Sequence, residues 1–148
     1  MLLCLTIGII IILTICDQLL KYWVASSIAL GGSKTLIPGI VELTNLRNTG
    51  AAWSLFEGQQ VFFTIVTIVA IIVISYFIWK YRKNGAMLTG LALIMAGTIG
   101  NFIDRLVHGY VVDMFETIFI NFPIFNIADM CLTLGVIWLI ICILREKD

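Results

Sequence analysis

Charge and histidine are scarce in this chain. Nine Lys and Arg and nine Asp and Glu are spread over 148 residues, and the formal net charge is zero. No basic arm or patch is available to neutralise phosphates, so nucleic acid is not an expected partner. His108 is the single histidine, which excludes a multi-histidine zinc site or an HExxH protease. Cys4, Cys16, Cys131 and Cys142 lie in apolar stretches without CxxC or CxxxC spacing. They read as small packing residues, not as disulfides or metal ligands. A GxSxG elbow is missing, and no sequence context sets Ser26, Ser27 or Ser33 against Lys21 or Lys34 as a nucleophile and base. No metal or cofactor is expected.

What is abundant is apolar: 61% of residues, which places the chain in the membrane class. A span needs roughly 20 residues at ~1.5 Å each. Residues 61–79 are uncharged, and 86–103 are interrupted only by Asn101. The runs 2–16 and 130–144 are less clean, since they abut Asp17 and Asp129. Fifteen residues reach about 22 Å against a core of about 30 Å, so both helices must carry their acids into the membrane. The N-terminus lacks a basic leader, and its apolar run ends at Asp17 and Lys21 without a cleavage site. Ile15 also occupies the place where lipid attachment at Cys16 would need a small residue. A retained first helix is therefore expected.

The reading is one all-α membrane domain over 1–148, with spans at about 2–24, 61–79, 86–104 and 126–144 and outer loops at about 25–60 and 105–125. Lys80, Arg82, Lys83, Arg145 and Lys147 mark the cytoplasmic side, which places both termini inside. Counted from the inner edge, Asp17, Asn101 and Asp129 each lie fifteen residues up, about 22 Å, near the outer boundary. Three helices thus bring polar groups to one depth. Gly90, Gly97, Asn101 and Asp104 share one face of the third helix, where glycines permit close approach and the polar pair faces inward.

The first outer loop carries two short strands around Pro38-Gly39, then an Asn48-Thr49-Gly50 turn, then a short interfacial helix over 51–56. The second carries Asp113 among aromatic and branched residues, with no secondary structure assigned to it.

Acids are the chemistry that remains. A carboxylate near a bilayer is expensive, and two acids sharing a proton can cut a peptide bond without Ser, Cys or metal. Each acid also has a plainer explanation. Asp17 and Lys21 form an i,i+4 pair, Asp104 and Arg105 could pair, and Asn126 could cap the last helix with Asp129 at its third position. A proton-coupled transporter is the competing function, but unbroken helices and acids gathered at one face argue against it. A non-enzymatic scaffold would leave the polar convergence without purpose.

Five segments resemble the motifs of bacterial lipoprotein signal peptidase (signal peptidase II), in order and over essentially the whole chain. They are Asp17-Gln18-Leu19-Leu20-Lys21, Asn48-Thr49-Gly50-Ala51-Ala52-Trp53, Gly100-Asn101-Phe102-Ile103-Asp104-Arg105, Val112-Asp113 and Phe125-Asn126-Ile127-Ala128-Asp129. Met130-Cys131 stands where many members have a small hydroxyl residue. The resemblance implies a four-helix aspartic endopeptidase of the bacterial cytoplasmic membrane, working at its extracytoplasmic face. It would cleave lipidated prolipoproteins before the diacylglyceryl-modified cysteine, as a monomer surrounded by membrane lipids. By motif match, Asp113 and Asp129 are the catalytic pair. Asn48, Gly50, Asn101, Arg105 and Asn126 line the substrate site, with Asp17, Lys21 and Asp104 in support. The resemblance also implies a small outer β-cradle with a short helix.

Overall fold

A computed structural model describes residues 1–50 and 55–145. Its elements run α1 (Leu2–Ser27), β1 (Ser33–Ile37), β2 (Val41–Asn48), α2 (Gln60–Lys80), α3 (Gly85–His108), β3 (Val111–Thr117) and α4 (Ile127–Arg145). All four helices are long and apolar enough to cross a membrane, with mean hydropathies of 2.3, 2.8, 1.7 and 2.5 in chain order. The least apolar of them, α3, is the most buried, whereas the others turn most of their surface outward. Solubility in lipid explains that inversion: apolar side chains face hydrocarbon, and the helix carrying polar residues is enclosed by its neighbours.

Glycine brings α3 and α4 together. A Cβ on Gly90 would lie 2.6 Å from Leu139, and one on Gly97 would run into the Ala128 carbonyl. On α4, a Cβ on Gly135 would lie 2.9 Å from the Gly90 carbonyl oxygen. The small-residue stripe read on the third helix is therefore the seam with the fourth. Asn84 starts α3 by accepting the Met87 N–H at 3.1 Å, and Gly109 ends it in the left-handed conformation at φ 75°.

Above the bundle, β1, β2 and β3 form an antiparallel sheet in that order. The β1–β2 turn holds Pro38 and Gly39, the latter at φ 72°. At 26 residues α1 is about 39 Å long, more than the hydrocarbon requires. Its last turns bury Val24 and Ile28 against Leu43, Val112 and Met114 of the sheet. This second core seats the sheet on the membrane helices.

Two loop expectations change. The second outer segment, given no secondary structure from sequence, holds the end of α3 and then β3, which pairs with β2 along its length before an irregular stretch leads to α4, so the chain carries a three-stranded sheet beside its helices. The helix expected over 51–56 falls largely on residues 51–54, and Lys147 falls in the tail; both lie outside the described residues. Residues 55–58 form a turn, with Phe56 at φ 57°.

Candidate active site

β3 is what delivers Asp113. Asn48 lies opposite Val111 across the β2–β3 ladder, so Asp113, two residues on, shares a sheet face with Asn48. The Asn48 side chain donates to Asp113 Oδ2 at 2.8 Å, and Asn126 Nδ2 donates to Asp113 Oδ1 at 2.7 Å. Asp113 is almost fully buried. Burial pushes its carboxyl up to about 6; the Asn48 hydrogen bond opposes the rise and the nearby Asp129 charge adds to it.

Asp129 reaches the same place from the start of α4. Asn126 caps that helix by accepting the Asp129 N–H at 2.9 Å, while its own N–H donates to Asp129 Oδ2 at 3.1 Å. This reciprocal arrangement satisfies two donors that a helix start leaves unpaired. The capping explanation of Asp129 is thus correct but incomplete. Its other oxygen accepts Asn101 Nδ2 at 2.8 Å. Asn126 contacts both acids, and its amide donates again to Asn101 Oδ1 at 3.1 Å.

Beneath this layer lies a buried ionic cluster. Lys21 pairs with Asp17 at 2.9 Å and Asp104 at 3.1 Å, and donates to Asn101 Oδ1 at 2.9 Å. Asp17 accepts the Ala128 N–H at 2.9 Å, and Asp104 accepts the Val112 N–H at 3.0 Å. The two acids therefore tie α1 and α3 to the backbone beside Asp129 and Asp113. Gln18, not singled out as a site residue from sequence, bridges them by donating to Asp17 at 3.2 Å and Asp104 at 2.9 Å. Nothing local marks it, because its other partners, Asp104 and the Gly100 carbonyl, lie on another helix.

Arg105 does not pair with Asp104. Its Nη2 donates to the Gly50 carbonyl at 3.2 Å, and its guanidinium lies 4.7 Å above the Phe63 ring. Among the described residues its buried Nε has no hydrogen-bond partner. Phe63 carried no sequence signal, since it is one of several aromatics in an apolar run. The Asn48 side chain also accepts the Gly50 N–H at 2.9 Å, fixing the turn between the two.

These groups border a cleft of about 690 Å³ that passes down between α2, α3 and α4. Asn48, Asn101, Arg105, Asp113 and Asp129 line its polar end, while Val66, Ala70 and Leu134 are among its apolar walls. Such a cleft has apolar walls that suit an apolar segment and sets two carboxyl groups at its polar end. Among the described residues, no group of three or more His, Cys, Asp or Glu is placed to hold a metal ion.

Residues 9–145 match the family model described as signal peptidase (SPase) II. The chain belongs to the signal peptidase II family. It is 52% identical over 136 residues to the lipoprotein signal peptidase of Lactiplantibacillus plantarum, covering 92% of this chain and 91% of that protein. It is 47% identical over 144 residues to that of Lactococcus lactis subsp. lactis, covering 97% and 96%. A solved bacterial membrane enzyme superposes with a TM-score of 0.92 at 43% identity, over 97% of this chain and 89% of that one. The protein is accordingly a membrane-embedded, multi-pass signal peptidase, a hydrolase.

Proposed function

We propose that this signal peptidase removes the signal peptide from diacylglyceryl-modified prolipoproteins, cutting before the lipidated cysteine with Asp113 and Asp129 as its catalytic pair. One carboxylate, ionised, takes a proton from a water held between the two; the other, protonated, polarises the scissile carbonyl. Like charges so close cannot both ionise freely, so the pair titrates as a unit. The water's oxygen adds to the carbonyl carbon, and the amine leaves with a proton returned from the pair. The observation that carries this reading is Asn126, whose side chain holds Asp113 at 2.7 Å while its backbone N–H holds Asp129 at 3.1 Å.

Asn48, Gly50, Asn101 and Arg105 line the substrate site, with donors suited to peptide carbonyls and a developing oxyanion, while Asn126, expected there from the motif match, is buried behind the two acids and holds them. Asp17, Lys21 and Asp104 support it from below. The chain acts as one domain, 1–148, and as a monomer, with no cofactor. It lies in the bacterial cytoplasmic membrane with both termini inside and the sheet at the extracytoplasmic face. The basic residues Lys80 at the end of α2 and Arg82 and Lys83 in the turn to α3 support that orientation. There the substrate's acyl chains remain in lipid while its peptide bond meets water.

The test is to incubate the purified protein with lipidated and unlipidated forms of one precursor and weigh the products. The reading expects cleavage of the lipidated form alone, giving a product that begins at the modified cysteine. Equal cleavage of both forms, or cutting elsewhere, would overturn it.

A further inference from the structure

We infer that Lys21 is a positioning residue for the aspartate pair: acting through the Asn101 amide, its buried ammonium keeps Asp129 the ionised member and leaves the shared proton on Asp113. The inference rests on the two-aspartate reading above and assigns the roles within it. An ammonium can only donate, so the Asn101 oxygen must face Lys21, at 2.9 Å, and the Asn101 NH₂ must face Asp129, at 2.8 Å. The second donor on that oxygen, Asn126 Nδ2 at 3.1 Å, locks the same orientation. An amide whose oxygen carries an ammonium donates more strongly from its other end.

The surroundings of the two acids differ in kind. Asp129 receives this polarised amide and a main-chain N–H, in the first turn of α4, where the helix dipole favours an anion. Asp113 sits on a strand and, among the described residues, receives only side-chain amides, from Asn48 and Asn126. The remaining charged groups are already engaged. Asp17 on α1 and Asp104 on α3 both pair with Lys21, and Arg105 on α3 donates to the Gly50 carbonyl while its charge acts on both Asp129 and Asp113. The ammonium's field acts on both acids and is opposed by Asp17 and Asp104, whereas its hydrogen bond to Asn101 reaches Asp129 alone.

Removing Lys21 alone would strand two buried carboxylates, so the informative comparison is Asp17→Asn against Asp17→Asn/Lys21→Met. The first keeps the ammonium; the second removes it while preserving the wild-type net charge of the cluster. Both retain an oxygen at position 17 for the Ala128 N–H. kcat and KM are measured from pH 5 to 9 on lipidated precursor. Relative to D17N, the double variant should lose about tenfold in kcat near neutral pH with KM changed less than about twofold. The acidic limb of its profile should move to higher pH. Superimposable profiles, or a loss uniform in pH and carried by KM, would overturn the inference while leaving the aspartate pair intact.

A second measurement needs no Lys21 variant. Difference infrared spectra near pH 6 should show one protonated Asp carboxyl that disappears in Asp113→Asn and persists in Asp129→Asn. The reverse pattern would assign the proton to Asp129 and overturn the inference. Failure of the pair itself would show differently, as full cleavage by either Asp→Asn variant.

Discussion

Asn126 donates one amide hydrogen to Asp113 Oδ1 at 2.7 Å, so the residue that caps α4 also grips the acid on β3. Capping and positioning are separable, because Ser can cap a helix but is too short to span to the sheet. Asn126→Ser should therefore cost no more than about 1 kcal/mol of stability. It should lower kcat by about 10–100-fold, the worth of a hydrogen bond to a charged or titrating group. Thermal unfolding and single-substrate kinetics on the same preparation check both halves.

Asp17 should behave as a structural group. Asp17→Ala removes one partner of a buried ion pair and the acceptor for the Ala128 N–H. A loss of about 3–5 kcal/mol is expected. Protein that stays folded at low temperature should retain cleavage, so stability and activity measured together distinguish this role from a chemical one.

Gly97 tests the helix seam. A methyl there meets the Ala128 carbonyl and Leu132, backbone and side chain of a packed helix. Gly97→Ala should destabilise the bundle by about 1–3 kcal/mol or more. Because Ala128 immediately precedes Asp129, activity should fall with it. A variant as stable and active as wild type would show that α3 and α4 do not pack this closely.

Asp113 predicts a pH dependence of stability with a definite sign. Its carboxyl titrates near 6 in the folded protein against a reference of 3.8, so the folded state binds more protons between those values. The stabilisation is complete below about 3.8 and is lost as pH rises through about 6. The difference is on the order of 3 kcal/mol. Unfolding midpoints should decline over that window more steeply in wild type than in Asp113→Asn, which cannot titrate there.

The sequence disclosed these two acids unequally, for physical reasons. Helix rise is fixed, so counting residues from the inner edge placed Asp17, Asn101 and Asp129 at one depth, and the structure links them through Lys21. The Asn126–Asp129 cap was also readable, because it spans three residues. Asp113 was not. Its place depends on the pairing of β2 with β3, whose register shifts between Leu43 and Leu46, and no local pattern encodes a pairing across some 65 residues. The family resemblance, with the absence of any other plausible nucleophile, singled it out. Gln18 and Phe63 escaped for a similar reason, since their partners come from other helices.

The most direct test of the account is the rate of cleavage of a lipidated precursor by Asp113→Asn and Asp129→Asn, each inserted and folded as wild type. Replacing a carboxyl with an amide keeps its size and most of its hydrogen bonds but removes its proton chemistry. Each variant should lose about 10³-fold or more in kcat with KM little changed. Cleavage by either variant at the wild-type rate would contradict the two-aspartate mechanism.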